Sequence, residues 1–176
     1  LLGLNHLWNL HASREQLAEI GLHLGADVPL FVYGRTALAT GIGEKLQPLE
    51  IAQKHYLVVH PGISVSTAEI FAHPELTRDS AAIKIAPPAE ECARNDCQAV
   101  VQALYPEVAK AIEWLSSLGN ARLTGTGACV FVELKQIADG EAYLASLPEG
   151  WTGFVAKGVN QSPLLSQIGP QQVEQH

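Results

Sequence analysis

Apolar residues recur three and four positions apart at the start of the chain, which is the spacing of one face of a helix. This pattern predicts a buried opening helix whose apolar positions are Leu1, Leu4, Leu7 and Trp8. A second helix is predicted to begin at Ser13, which forms a capping-box pattern with Gln16. Gly25 is expected to end this helix, and its predicted apolar face consists of Leu17, Ile20, Leu22 and Leu24.

Short apolar and β-branched runs that end at turn residues predict the strands. A strand or hairpin arm is predicted over residues 35–43 and ends in the turn Gly41-Ile42-Gly43. Another covers residues 56–60 and stops at Pro61-Gly62. The remaining predicted strands are residues 121–123, 128–134 and 153–159.

Helical patterns lie between these strands. Ser66 and Glu69 have the spacing of a second capping box, which predicts a short helix through Phe71 that ends at Pro74. A polar connection is predicted over residues 75–89, followed by helices at 90–104, 106–118 and 136–147 and by a frayed tail from Gly169. Because strands and helices interleave, the pattern predicts a mixed α and β class with a layered core.

The composition is typical of a folded globular protein. The chain has 176 residues, of which 47% are hydrophobic and 16% charged, and its mean hydropathy is +0.10. The net charge of -7 and the 11 scattered Lys and Arg residues argue against a nucleic-acid partner, since such partners are bound through cations that neutralise phosphates. A small anionic ligand remains compatible, because a few backbone N–H groups can hold it.

Cysteine use and hydropathy favour a cytoplasmic location without a membrane partner. The three cysteines, Cys92, Cys97 and Cys129, include no CxxC motif and no zinc spacing, which is typical of a reducing compartment. No apolar run approaches the length of a membrane span, and no signal-peptide pattern opens the chain. The chain has no methionine and opens inside a helical pattern, so we expect it to be a fragment of a longer protein.

Asp27 is the most informative single residue, because it lies in an apolar segment that offers no positive partner. Burying an unpaired carboxylate there would cost several kcal/mol, in order of magnitude. One interpretation is that Asp27 caps the following turn through its side-chain oxygen. The other is that Asp27 is a base or an anion-positioning group that faces a cavity.

Two further segments are candidates for binding. In Thr124-Gly125-Thr126-Gly127-Ala128, two glycines allow backbone N–H groups to converge on an anion, although a tight β-turn explains the same residues. The segment from His60-Pro61-Gly62 to Phe71 can be a strand end, a turn and a capped helix. It also places the hydroxyl of Thr67 and the ring of Phe71 about one helical turn apart, near a strand end.

A metal site and a common hydrolase site are not predicted. The seven histidines form no HExxH pattern and no Cys/His ligand spacing, so we expect no zinc. No Gly-x-Ser-x-Gly motif is present.

Taken in order, these segments resemble the GHMP superfamily of small-molecule kinases and, within it, the 4-diphosphocytidyl-2-C-methyl-D-erythritol kinases. The matching segments are residues 24–29, Gly41-Ile42-Gly43-Glu44, His60-Pro61-Gly62 with Ser66-Thr67 and Phe71, Asn95-Asp96-Cys97, residues 122–131 and residues 153–164. The order and spacing of these motifs carry the resemblance.

The resemblance implies an α+β class and the GHMP kinase fold. Residues 1–50 would be the remnant of the N-terminal domain, with helices and edge strands. Residues 51–168 would be a complete C-terminal domain, in which helices pack against an antiparallel sheet, and residues 169–176 would be a flexible tail.

The resemblance also implies roles for individual residues. Asp27 would be the catalytic base, Thr67 would contact the methylerythritol part of the substrate, and Phe71 and Ile42 would line the cytosine pocket. The glycine motif Gly125, Thr126 and Gly127 would support the phosphate site. The implied reaction transfers phosphate from ATP, with Mg²⁺, to the 2-hydroxyl of 4-diphosphocytidyl-2-C-methyl-D-erythritol in isoprenoid-precursor synthesis.

The family's glycine-rich phosphate loop and its N-terminal lysine do not appear in this sequence, so we expect the chain alone to be nearly inactive. Two alternatives stay open at this point. The first is another GHMP kinase with a different alcohol substrate. The second is a non-catalytic α/β binding domain, in which Asp27 is a cap and residues 124–127 are a turn.

Overall fold

The computed structural model describes residues 1–80 and 94–167 of the chain. Its helices are α1 (Leu2–Leu7), α2 (Arg14–Leu24), α3 (Val28–Tyr33), α4 (Thr67–Ala72), α5 (Cys97–Leu104), α6 (Pro106–Ser116), α7 (Ile137–Leu144) and α8 (Leu164–Gln167). Its strands are β1 (Ala37–Thr40), β2 (Lys45–Pro48), β3 (His55–His60), β4 (Arg122–Leu123), β5 (Val130–Leu134) and β6 (Thr152–Lys157). The predicted mixed class is confirmed, while the short helices α3 and α8 were not predicted.

The described residues form two compact units. The first consists of residues 1–53 with 159–167, and the second of residues 54–80 with 94–158. The sequence had assigned residues 159–167 to the second domain, whereas as a compact unit they lie with the first. The domain boundaries at 50 and 168 stay a prediction.

The first unit combines helices α1, α2, α3 and α8 with a two-stranded hairpin. Strands β1 and β2 are antiparallel, with Ala37 opposite Pro48 and Thr40 opposite Lys45, so the predicted turn at residues 41–43 is confirmed. The small core of this unit consists of Leu2, Leu17, Val32 and Leu165.

Helix α1 forms where it was predicted, but the prediction of its buried face is wrong. Leu7 and Trp8 are 70% and 61% exposed, and Leu4 is also exposed. The buried residues are Leu2 and Asn5. The side chain of Asn5 can be buried because its amide group donates to the backbone oxygen of Ala12 (3.0 Å) and its Oδ1 accepts from the backbone nitrogen of Ala12 (3.0 Å).

Helix α2 begins with the predicted capping box, since Ser13 Oγ accepts from the Gln16 nitrogen and Gln16 Oε1 accepts from the Ser13 nitrogen. Of its predicted apolar face, Leu17 is buried, but Ile20 and Leu24 are exposed. The second buried residue is Gly21, where an added Cβ would lie 2.7 Å from Val28 Cγ1. Helix α3 therefore approaches α2 at a small residue that a hydrophobicity pattern does not mark.

The second unit is built on a four-stranded antiparallel sheet with the strand order β4-β5-β3-β6. Side chains along β3 and β5 alternate, so that every second one points into the core. The core-facing residues of the two central strands are Leu57, Val59, Val130, Val132 and Leu134. Helices α5 and α6 cover this face with Val100, Val101, Val108, Ala111, Ile112 and Leu115. This is the antiparallel sheet packed by helices that the resemblance implied.

Helix α5 begins at Cys97, so the predicted start at residue 90 is wrong for residues 94–96. Asn95 is not helical because its Oδ1 accepts from the Cys97 nitrogen (2.9 Å), as a residue just before a helix does. The predictions for residues 81–93 and for the tail from Gly169 lie outside the described residues, as does Cys92. None of the helices in the described part of the chain combines the length and apolar character that a membrane crossing requires.

Candidate functional site

Helix α4 presents Thr67 and Phe71 from one side, because residues four apart in a helix are neighbours. Ser66 caps the helix by accepting from the Glu69 nitrogen at 3.3 Å. Phe71 is 58% exposed and Thr67 is exposed as well. An aromatic face and a hydroxyl group are thus available to a ligand one helical turn apart.

The N-terminal end of α4 is held by Tyr105, which lies between α5 and α6. The Tyr105 hydroxyl donates to Glu69 Oε2 (2.5 Å) and accepts from the Ser66 nitrogen (3.3 Å). Only half of the predicted capping box therefore forms, because the carboxylate of Glu69 binds Tyr105 instead of the Ser66 backbone. The hydrogen bond to Glu69 raises the pKa of Tyr105.

The C-terminal end of α4 is held by Arg78. Its guanidinium donates to the backbone oxygens of Phe71 (2.7 Å), His73 (3.1 Å) and Leu76 (3.1 Å). The carbonyl group of Phe71 lies in the last turn of α4 and lacks a partner within the helix, and the guanidinium satisfies it together with two carbonyl groups beyond the helix end. The sequence pattern did not single out Tyr105 or Arg78.

The glycine segment forms a tight turn between β4 and β5. The Gly127 nitrogen donates to the Thr124 oxygen (3.0 Å), and the Thr124 nitrogen donates to the Cys129 oxygen (3.0 Å). The interpretation as a tight turn is therefore confirmed at the level of the backbone. The side chain of Thr126 extends from this turn to α4, where its Oγ1 lies 2.8 Å from Thr67 Oγ1. The structure thus brings two of the predicted site segments together.

Asp27 lies at the start of α3, but its interpretation as a side-chain cap is wrong. Its backbone has helical angles (φ -83, ψ -16), and its side chain makes no capping hydrogen bond. The carboxylate is exposed, so the cost of burial that was expected from the sequence does not arise. The position of Asp27 in the first unit indicates no structural role for its side chain.

Ile42 lies in the hairpin turn, which runs close to the segment before Asp27. Gly43 has φ +119, and a Cβ there would meet the backbone oxygen of Ala26 at 2.8 Å. The Ile42 nitrogen donates to Glu44 Oε2 (2.7 Å), and Ile42 itself is 72% exposed. The pKa of Glu44 is lowered, first by the hydrogen bond from its own backbone N–H and then by the bond from Ile42. Asp27 and Ile42 are therefore both exposed on the first unit, near this close approach.

Within residues 1–80 and 94–167, no group of three or more His, Cys, Asp or Glu side chains could hold a metal ion. A magnesium ion in a kinase is held by one or two carboxylates together with the substrate's phosphates, so it does not need such a group. Asp27 is an exposed carboxylate of the first unit.

The chain is similar to known proteins in both its sequence and its fold. The family described as GHMP kinases C terminal matches residues 75–151. The chain is 49% identical over 171 residues to a 4-diphosphocytidyl-2-C-methyl-D-erythritol kinase of Hahella chejuensis, and covers 58% of that protein. It is 53% identical over 168 residues to the protein of the same name from Pseudomonas paraeruginosa, and covers 60% of it.

The chain is similar to the GHMP kinases through the match at residues 75–151. Each of these two alignments with its relatives covers 96% of the chain, which spans about three fifths of the relatives' length. The fold is similar to that in the crystal structure of 4-(cytidine 5'-diphospho)-2C-methyl-D-erythritol kinase, with a TM-score of 0.70 and 24% identity. That similarity covers 89% of this chain and 61% of the other. The residues that match the GHMP kinases C-terminal family lie within the second unit, which carries the four-stranded sheet.

Proposed function

We propose that the complete gene product transfers the γ-phosphate of ATP to the 2-hydroxyl of 4-diphosphocytidyl-2-C-methyl-D-erythritol, an isoprenoid precursor. The observation that carries the proposal is the identity of 49% and 53% to two kinases of that name, over 96% of this chain in each case. A cytoplasmic location belongs to the same proposal and is supported by the absence of a CxxC pair among the three cysteines.

Asp27 is assigned the role of general base. Its carboxylate accepts the proton of the substrate hydroxyl while the hydroxyl oxygen forms a bond to the γ-phosphorus of ATP. The bond between that phosphorus and the oxygen bridging it to the β-phosphate breaks, and ADP leaves. The exposed carboxylate without a capping bond supports this role, because the side chain is free to meet a substrate.

The substrate's two ends are assigned to different side chains. Phe71 offers an exposed ring against which a cytosine base can stack, and the exposed side chain of Ile42 provides an apolar wall. Thr67 offers a hydroxyl group to the methylerythritol part. Tyr105 and Arg78 support this arrangement because they fix both ends of the helix that carries Thr67 and Phe71.

Gly125, Thr126 and Gly127 are assigned to the support of the phosphate site. The turn between β4 and β5 carries the Thr126 hydroxyl, a group that can donate to an anion. Mg²⁺, when bound with ATP, would supply positive charge that stabilises the charge developing on the transferred phosphate. Oligomeric state is not part of the proposal.

The proposal is tested by the substrate preference of the complete gene product. With ATP and Mg²⁺, we expect ADP release with 4-diphosphocytidyl-2-C-methyl-D-erythritol to exceed that with mevalonate or homoserine by orders of magnitude. The product should carry a phosphomonoester at the 2-position, which ³¹P NMR detects. Turnover of mevalonate or homoserine instead would assign the chain to another GHMP kinase. No turnover of any of the three would leave the proposed reaction without support.

A further inference from the structure

The side chain of Asn95 links the glycine turn to the start of helix α5. Its Nδ2 donates to the backbone oxygens of Leu123 (3.0 Å) and Gly125 (2.7 Å). Its Oδ1 accepts from the Cys97 nitrogen at 2.9 Å. One partly buried amide group therefore forms three hydrogen bonds, which join two backbone segments that are about 28 residues apart in sequence.

The two carbonyl groups that Asn95 binds lie where the regular sheet ends. Strand β4 pairs with β5 only at Arg122 and Leu123, so the backbone beyond Leu123 leaves the sheet. Gln98 also binds Leu123, because its Oε1 accepts from the Leu123 nitrogen at 2.9 Å. The two side chains therefore have different roles. Asn95, just before α5, donates hydrogen bonds to the turn, whereas Gln98, within α5, accepts one from the strand.

A continuous series of contacts leads from Asn95 to the proposed substrate site. Asn95 binds the carbonyl of Gly125, the next residue is Thr126, and the Thr126 hydroxyl pairs with Thr67 at 2.8 Å. A rotation of the peptide group that follows Gly125 would move the Thr126 backbone with it and disturb this pair.

We propose that Asn95 is a positioning residue, whose two donated hydrogen bonds hold the glycine turn so that Thr126 keeps Thr67 directed at the substrate. This inference rests on the proposed function. Asn95 touches neither substrate nor phosphate; it acts through Thr126 and Thr67. Loss of its donor group should therefore impair catalysis in a protein that is still folded.

The test compares two substitutions that change an amide to a carboxylate at neighbouring places. Asn95→Asp keeps the acceptor for the Cys97 nitrogen but removes the donor, and it turns a carboxylate oxygen toward two carbonyl oxygens. Gln98→Glu keeps an acceptor oxygen for the Leu123 nitrogen. In the complete gene product, well below its melting temperature, we expect kcat/KM to fall about 10- to 100-fold for Asn95→Asp, as a small misplacement of reacting groups does. We expect a change of less than about threefold for Gln98→Glu, because a retained hydrogen bond leaves ΔΔG‡ small.

A double-mutant cycle distinguishes positioning from a general structural role. Thr126→Val removes the hydroxyl partner of Thr67 but leaves Asn95 in place. If Asn95 acts through Thr126, the combined variant should be little worse than the poorer single variant. Multiplicative losses, or an Asn95→Asp variant with the kcat/KM of wild type, would overturn the inference. The inference would also be overturned if the loss of kcat/KM were no larger than the unfolded fraction of the variant, which circular dichroism measures on the same samples.

Failure of the proposed function has a different signature, because the wild-type protein would then not phosphorylate the substrate. The inference about the turn is still tested in that case by hydrogen exchange of the Gly127 amide, which donates to Thr124 within the turn. We expect Asn95→Asp to accelerate this exchange at least about tenfold relative to Gln98→Glu, because loss of the clamp allows the turn to open locally. Equal exchange in the two variants would overturn the proposal without reference to activity.

Discussion

Thr126 lies between two glycines whose conformations set different limits on substitution. Gly125 has φ +56, and a Cβ there would meet no atom within 4 Å. Gly127 has φ +95, and a Cβ there would lie 3.2 Å from Leu123 Cδ1 and 3.4 Å from Val65 Cγ2. Both positions strain an L side chain, but only Gly127 is also packed.

We predict that Gly127→Ala is more destabilising than Gly125→Ala. Gly125→Ala should lower the free energy of unfolding by about 1 kcal/mol, which is the cost of a left-handed conformation for a residue with a Cβ. Gly127→Ala should lower it by about 2–3 kcal/mol, because crowding by core side chains adds to the strain. Urea unfolding of the two variants measures the difference. Equal losses would show that the turn repacks around the added methyl group.

The sequence indicated single residues as candidates for the binding site, but it did not indicate which other residues fix their positions. Thr67, Phe71 and Thr126 stand out because hydroxyl groups, an aromatic ring and glycines occur near predicted strand ends. Tyr105 and Asn95 were not recognised as supports, because their partners are 36 and 28 residues away along the chain. Spacing rules describe neighbours within one element, so they assigned Glu69 to Ser66 when its carboxylate binds Tyr105.

At the scale of elements, α4 is a helix of six residues and is too short to be stable without support. Tyr105 holds its first turn and Arg78 its last. The orientation of Thr67 and Phe71 therefore depends on contacts from outside the helix. The hydrogen bond between Tyr105 and Glu69 also makes this support depend on pH.

We predict that the link between Tyr105 and α4 is lost at alkaline pH. The Tyr105 pKa is raised above its ordinary value of 10.0 by the hydrogen bond to Glu69, so folding favours the protonated phenol. A group whose pKa is raised on folding stabilises the protein below its unfolded pKa, and this stabilisation is lost as the pH rises through the folded value. In the wild type, part of the free energy of unfolding should therefore disappear above pH 10.

Tyr105→Phe provides the control for this prediction. The variant should be less stable than the wild type at pH 8, and the difference between the two proteins should shrink as the pH rises above 10. Urea unfolding at a series of pH values measures both quantities. A difference that is independent of pH would mean that the phenol proton does not take part in holding α4.

Most helices and strands were predicted from the sequence, but the residues on their buried faces were predicted less accurately. Helical periodicity located α1 and α2, and short apolar and β-branched runs located β3 and β5, because these local patterns determine the elements. The buried face of α1 was mispredicted because Asn5 is buried through its bonds to Ala12. That of α2 was mispredicted because α3 packs on Gly21. A pattern shows which residues can be buried, but not which neighbour buries them.

The two units of the molecule each contain residues for which a role is proposed. Asp27 and Ile42 belong to the first unit, and Thr67, Phe71 and the glycine turn to the second. The first unit has a small core and exposes Leu7, Trp8 and Phe31. The second has a continuous core between its sheet and its helices. The buried faces of the second unit were easier to predict from the sequence, because its strands and helices pack their apolar side chains against one another.

We propose that Asp27 serves catalysis and not the stability of the fold. The most direct test is Asp27→Asn in the complete gene product, with Glu19→Gln as a matched removal of an exposed carboxylate on α2. We predict that kcat falls about 10²- to 10⁴-fold for Asp27→Asn, as expected for loss of a general base, and is unchanged for Glu19→Gln. The free energy of unfolding should change by less than about 0.5 kcal/mol in both variants, because the Asp27 side chain is exposed and makes no capping bond. An Asp27→Asn variant that retains the kcat of the wild type would contradict the assignment of Asp27 as the general base.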